Sequence, residues 1–149
     1  MPLLTDHAEN KVIDALFRGQ ALGAPTTWYL ALSTAVRSDS GTPTEPSGKG
    51  YARVAVVANL DNFKSTQGAA GVASSGTTGA TSNAVAITFP ESTGSWGTIK
   101  SAWFMSAATG GNAWMSIDLT TQVAVSGGDF TLSFAAGKLS GTINAAAAA

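Results

Sequence analysis

The sequence predicts a mainly β protein, an antiparallel β-sandwich of jelly-roll type with one N-terminal α-helix. Three observations carry this. About eight short runs place bulky residues at alternate positions, the two-residue period of half-buried strands. Glycine-rich reversals such as Gly127-Gly128-Asp129 and Ala136-Gly137-Lys138 separate the late runs. Only the first twenty or so residues show the wider period of an amphipathic helix. At 149 residues the chain is sized for one core. It divides into an N-terminal helix and arm over 1–22, a β domain over 23–144 and an alanine tail over 145–149.

Thr5 or Asp6 can cap the helix. Glu9 follows Asp6 by three residues as in a capping box, and acids in the first turn complement the positive end of the helix dipole. Ala8, Val12, Ile13, Leu16 and Phe17 form a wide apolar stripe, Lys11, Asp14 and Arg18 take the other face, and Gly19 ends the helix. With Leu3 and Leu4 ahead of it, the helix is expected to pack across an open end or edge of the β domain. The alternative is an arm that docks on a neighbouring subunit.

The first strand, 27–33, puts Trp28, Leu30 and Leu32 on one face, and 51–58 sets Val54 and Val56 against Arg53, Ala55 and Val57. Val85, Ile87 and Phe89 align within 83–89. The stretch 97–119 reads as a central hairpin, with Ile99, Trp103 and Met105 on one strand and Ala113, Met115, Ile117 and Leu119 on the other. Its turn, 106–112, contains Gly110-Gly111, which suits the positive φ of a reversal. Runs at 122–126, 130–135 and 139–143 follow, and the tight reversals between them predict an antiparallel meander. Two long connections interrupt the pattern, 34–50 and 65–82. Each reads either as a surface excursion or as an arm laid on a partner.

Charged residues make up 11% of the chain, where about 25% is usual for a soluble domain. A surface of Ser, Thr, Gly and Ala with few charges suits packing against neighbours, because burying a charge is far costlier than burying a methyl or hydroxyl. The net charge is −1 and the eight Lys and Arg are scattered, which speaks against direct nucleic-acid binding. Cysteine is absent, which excludes disulfides and thiolate chemistry. Asp6 and Glu9 precede any long apolar run, so the start does not read as a signal peptide, and no run approaches the roughly 20 apolar residues of a membrane span.

Catalytic patterns are sparse. His7 is the only histidine and belongs to the helix start, where a surface role outweighs a triad. Gly48-Lys49-Gly50 lacks the rest of a phosphate loop and leads into a strand. Asp118 with Asp129, and Asp61 with Glu45, read as solvated carboxylates rather than an acid–base pair. We expect no enzyme activity, no cofactor and no metal. The aromatic residues say more. Trp28 and Trp103 are expected in the core, and Trp96 lies in the loop 90–97. Strict alternation points Trp114 outward beside Ser116 and Asp118. There it would pack beneath a long loop or the helix, anchor an interface, or stack on a sugar. The partner interface is expected to draw on Val12, Leu16, Phe17, Trp96, Trp114 and Val72.

Several segments together resemble a known group: ENKVIDALFRG, APTTWYLALST, GKGYARVAV, SNAVAITFPESTGSWGTIKSAWF, ATGGNAW and FAAGKLSGTI. Their order is similar to that of small virion proteins of tailed bacteriophages, variously labelled tail fibre, minor tail or head decoration proteins. The resemblance covers 9–143. Its most specific pieces are Gly50-Tyr51-Ala52-Arg53, the segment from Phe89 to Gly97, and the run from Ala107 to Asn112, while Trp103 and Ser106 depart from the pattern. It implies a structural protein of the virion, made in the bacterial host cytoplasm. With the low charge and the lack of a fibrous repeat, the first expectation is a capsid cement or decoration protein, a homo-oligomer and most simply a trimer, bound to the major capsid protein. The alternatives are a tail fibre, collar or minor tail component, and a host-glycan-binding module.

Overall fold

The computed structural model describes residues 4–143. Leu3 and the alanine tail lie outside the described residues. The helix α1 spans Asp6–Phe17. Ten strands follow: β1 (Thr27–Ser33), β2 (Val54–Val57), β3 (Ala80–Ser82), β4 (Ile87–Thr88), β5 (Ser92–Thr93), β6 (Gly97–Met105), β7 (Ala113–Val125), β8 (Gly128–Phe130), β9 (Ser133–Phe134) and β10 (Ser140–Thr142). The fold is mainly β and antiparallel with one short N-terminal helix, as the periodicity predicts.

Four strands form the main sheet in the order β2-β1-β6-β7. The last strands do not pair with one another. β8 pairs with β5, β9 with β4 and β10 with β3, which overturns the expected meander. Together with β6 and β7 these pairs make one long interrupted hairpin. It is closed at the tip by 106–112 and runs in nearly one register from Met105 opposite Ala113 down to Ala80 opposite Thr142. The reversals at 127–129 and 136–138 are kinks in one arm of this hairpin rather than turns between neighbouring strands. The expected strand at 122–126 belongs to β7, and the expected 130–135 divides into β8 and β9.

Two bulges decide which face each side chain takes. The register slips between Ile99 and Ser101, so Ile99 shares the principal core with Ala102 and Phe104 while Trp103 and Met105 pack on the opposite face with Ala31 and Ala113. The expectation that Ile99, Trp103 and Met105 share a face therefore fails at one residue, Lys100. A second slip sets Met105 opposite Ala113 and Phe104 opposite Met115, leaving Trp114 as the extra residue. It joins Met115 in the principal core instead of pointing outward.

That core lies between one face of the main sheet and the lower hairpin, where Trp28, Leu30, Leu32, Val56 and Phe104 meet Ile87, Phe89, Leu132, Phe134 and Leu139. The other face of the sheet is covered by the chain's own first long loop. Ser33 Oγ accepts from the Thr44 and Ala35 N–H groups, and Ser101 Oγ donates to Ala35 O and accepts from Trp103 Nε1. Arg37 reaches β7 through its N–H to Asp118 Oδ1 and its Nε to Ser116 Oγ. The loop 34–50 is thus an intramolecular cover rather than a free arm.

Candidate interaction surface

The helix is anchored at its first turn only. Thr5 caps it, its Oγ1 accepting from the Ala8 N–H. The same residue ties it to β7 through Thr5 N–H to Trp114 O at 3.0 Å and Oγ1 to Ala113 O at 2.6 Å. Trp114 is buried there, edge-on to His7 at 5.1 Å and to Trp28 at 5.8 Å. Beyond this root the stripe is uncovered. Val12 is half-buried, whereas Ile13, Leu16 and Phe17 are 51%, 71% and 77% exposed. The helix therefore packs on the β7 edge as expected, but its last two turns leave an apolar face without an intramolecular seat.

Of the residues expected at an interface, Leu16, Phe17 and Val72 are exposed and Val12 is partly so. Trp96 and Trp114 are corrections. Trp96 is 4% exposed, with Nε1 donating to Lys49 O at 2.8 Å, and Trp114 is turned inward by the bulge and packs beneath the first turn of the helix, the first of the settings expected for it and not an interface anchor. Neither ring is available to a partner or to a sugar. Val72 sits on the loop that follows Ser65, which is held by its own side chains. Gln67 Oε1 accepts from the Ser75 and Gly76 N–H groups, and Thr78 Oγ1 donates to Thr66 O.

Sequence reasoning missed two features. The first is an apolar groove of about 510 Å³ beside the root of the helix, lined by Trp28, Leu60, Phe63, Phe104, Met115 and Ile117 among others and by no charged side chain. Leu60, half-exposed in a polar segment, was its only sequence signal. The second is a partly buried polar clip. Glu45 accepts from Arg53 Nε and Nη2 and from the Tyr51 hydroxyl at 2.8 Å, while Arg53 Nη1 donates to Ala107 O at 2.6 Å and Gly110 O at 2.8 Å. The Tyr51 hydroxyl also accepts from the Leu32 N–H at 2.9 Å, beyond the last β1–β2 pair. Burial, with the Glu45 carboxylate adding to it, pushes the Tyr51 phenol far above its ordinary range.

The clip explains the most specific sequence pieces, because they converge on it. Gly50 has φ +78°, and a Cβ there would lie 2.7 Å from Glu91 O. Tyr51 stacks on Phe89 and meets Trp96 edge-on at 5.4 Å. Gly111, at φ +73°, would bring a Cβ to 2.7 Å from Ser106 Oγ. Three segments distant in sequence thus fix the hairpin tip against β1 and β2.

Among the described residues no group of three His, Cys, Asp or Glu side chains is placed to hold a metal ion, and no helix is long and apolar enough to cross a membrane. Among the described residues, fold and surface define a small antiparallel β protein whose polar clip and loop bonds brace it and whose surface includes an apolar helix face and an apolar groove. A family model described as podophage GP4 fiber I protein gp80 matches residues 3–142, and the chain belongs to that family. It is a phage virion structural protein of a fibre-related group. No curated protein gives a significant match.

Proposed function

We propose that the chain works as a non-enzymatic building block of the tail fibre apparatus, assembling as a homo-oligomer, most simply a trimer, and seating on other tail or collar proteins. The uncovered helix face carries this reading. Ile13, Leu16 and Phe17 are large, apolar and solvent-facing in a chain with few charges, a surface made to be covered by protein. The family match supports a fibre location over the head. Capsid cement is the second reading, favoured by the single β unit without a lengthening repeat. There the partner is the major capsid protein, and many copies make small contacts additive. A glycan-binding role loses its main support with the burial of Trp114. Antibody-gold microscopy of purified particles tests the choice. Label at the neck or tail fits the fibre reading, even label over the head replaces it with cement, and no label on intact particles removes the virion role.

A further inference from the structure

Among the described residues the molecule exposes an apolar knob and an apolar groove, and it cannot join them itself while the root of the helix holds. The knob is the distal face of α1, Ile13, Leu16 and Phe17. The groove is the space of about 510 Å³ walled by Trp28, Leu60, Phe63, Phe104, Met115 and Ile117. The first turn of α1 is fixed to β7 by the Thr5 bonds to Ala113 O and Trp114 O and by the pairing of Leu4 with Met115. A twelve-residue helix extends about 18 Å from that root. Turning the knob back into its own groove would break the root.

From this geometry we infer that the groove receives the α1 knob of a second copy, giving a head-to-tail contact between identical chains. This deepens the homo-oligomer proposed above and rests on it, but not on where in the virion the protein sits. Three observations favour a second copy over another occupant. The groove lining carries no charged side chain, which suits an apolar helix face such as Ile13, Leu16 and Phe17 better than a charged segment. Both surfaces are apolar, and among the described residues neither is covered. The groove also shares Met115 with the seat of the resident helix, so an incoming helix would extend a contact the fold already makes.

A complementation experiment tests this, because a head-to-tail contact uses different surfaces on its two sides. Leu16→Glu with Phe17→Glu disables the knob, and Leu60→Glu places a charge at the groove. All three positions are more than half exposed, and far-UV circular dichroism with a thermal melt checks that the variants remain folded. In sedimentation velocity the wild type is expected to run as an oligomer and each variant alone as a single chain. An equimolar mixture should recover a complex holding one of each, since one intact knob meets one intact groove. A monomeric wild type overturns the inference. So does an unaffected Leu60→Glu variant, which would mean helix against helix, and so does a mixture that stays monomeric. Because the readout is mass in solution, it can fail while gold labelling still places the protein on the tail, and the reverse.

Discussion

Replacing Asn83 by Ala should unlatch the base of the long hairpin. Asn83 is 1% exposed, and its side chain ties its own stretch to both ends of the 135–139 reversal. Its Nδ2 donates to Val85 O at 2.7 Å and Ala135 O at 3.0 Å, and its Oδ1 accepts from the Leu139 N–H at 2.9 Å. Truncation removes all three bonds and leaves a backbone N–H and two carbonyls without these partners. At about 1 kcal/mol net per bond, with more for a buried group left unpaired, the loss should be about 3–4 kcal/mol. For a chain of this size that corresponds to a fall of about 10 °C in Tm. Urea unfolding followed by tryptophan fluorescence gives the free energy, and Asn83→Asp separates acceptor from donor. The Asp variant keeps the acceptor for Leu139 but sets an oxygen against two carbonyls, so it should be at least as destabilised near neutral pH. If the Ala variant loses less than about 1 kcal/mol, or if Asp behaves as wild type, Asn83 does not latch the hairpin.

Tyr51→Phe should cost about 1–2 kcal/mol at neutral pH, because the Leu32 N–H loses its acceptor. The folded phenol titrates above the unfolded one, so its contribution is whole below about pH 10 and is lost as the pH rises further. Alkaline unfolding curves should show the wild type falling faster above about pH 10 than the Phe variant. Arg53→Ala leaves Glu45, which is partly exposed, without its cation and frees the hairpin tip. About 3 kcal/mol of stability should disappear, with faster amide exchange confined at first to 106–112. Trp114→Ala should act through packing, losing about 3–5 kcal/mol in denaturant melts. A variant of undiminished stability that had lost only a binding activity would contradict the burial.

How much was legible depended on whether a local period survived tertiary pairing. In β1 alternation placed Trp28, Leu30 and Leu32 correctly, because β1 lies between β2 and β6 without a register slip. In β6 and β7 the same rule failed at Lys100 and Trp114, since the register slips there by an odd number of residues and an odd slip inverts every side chain beyond it. The helix was legible in its boundaries and its stripe. That the stripe stays uncovered was not, because amphipathic spacing says which face is apolar and not what lies opposite. The 127–129 and 136–138 reversals misled for a related reason. Glycine-rich turns mark a change of direction, and here two of them bend one arm of a hairpin whose partner lies far back in the sequence. The clip was invisible as chemistry because Glu45, Tyr51 and Arg53 look like ordinary loop and strand residues until the tip folds onto them.

The interrupted hairpin also bears on how the chain can fold. Ala80 and Thr142 are remote in sequence, and a fold built on such pairs would ordinarily be slow, since each remote contact must first close a large loop. Within the hairpin the loop need be closed only once, at 106–112. Each pair formed there brings the next within reach, from Met105 with Ala113 through Ser92 with Phe130 to Ala80 with Thr142. The hairpin is laid out like a zipper whose first tooth is the tip, and Arg53 ties that tip to β2 from the other half of the chain.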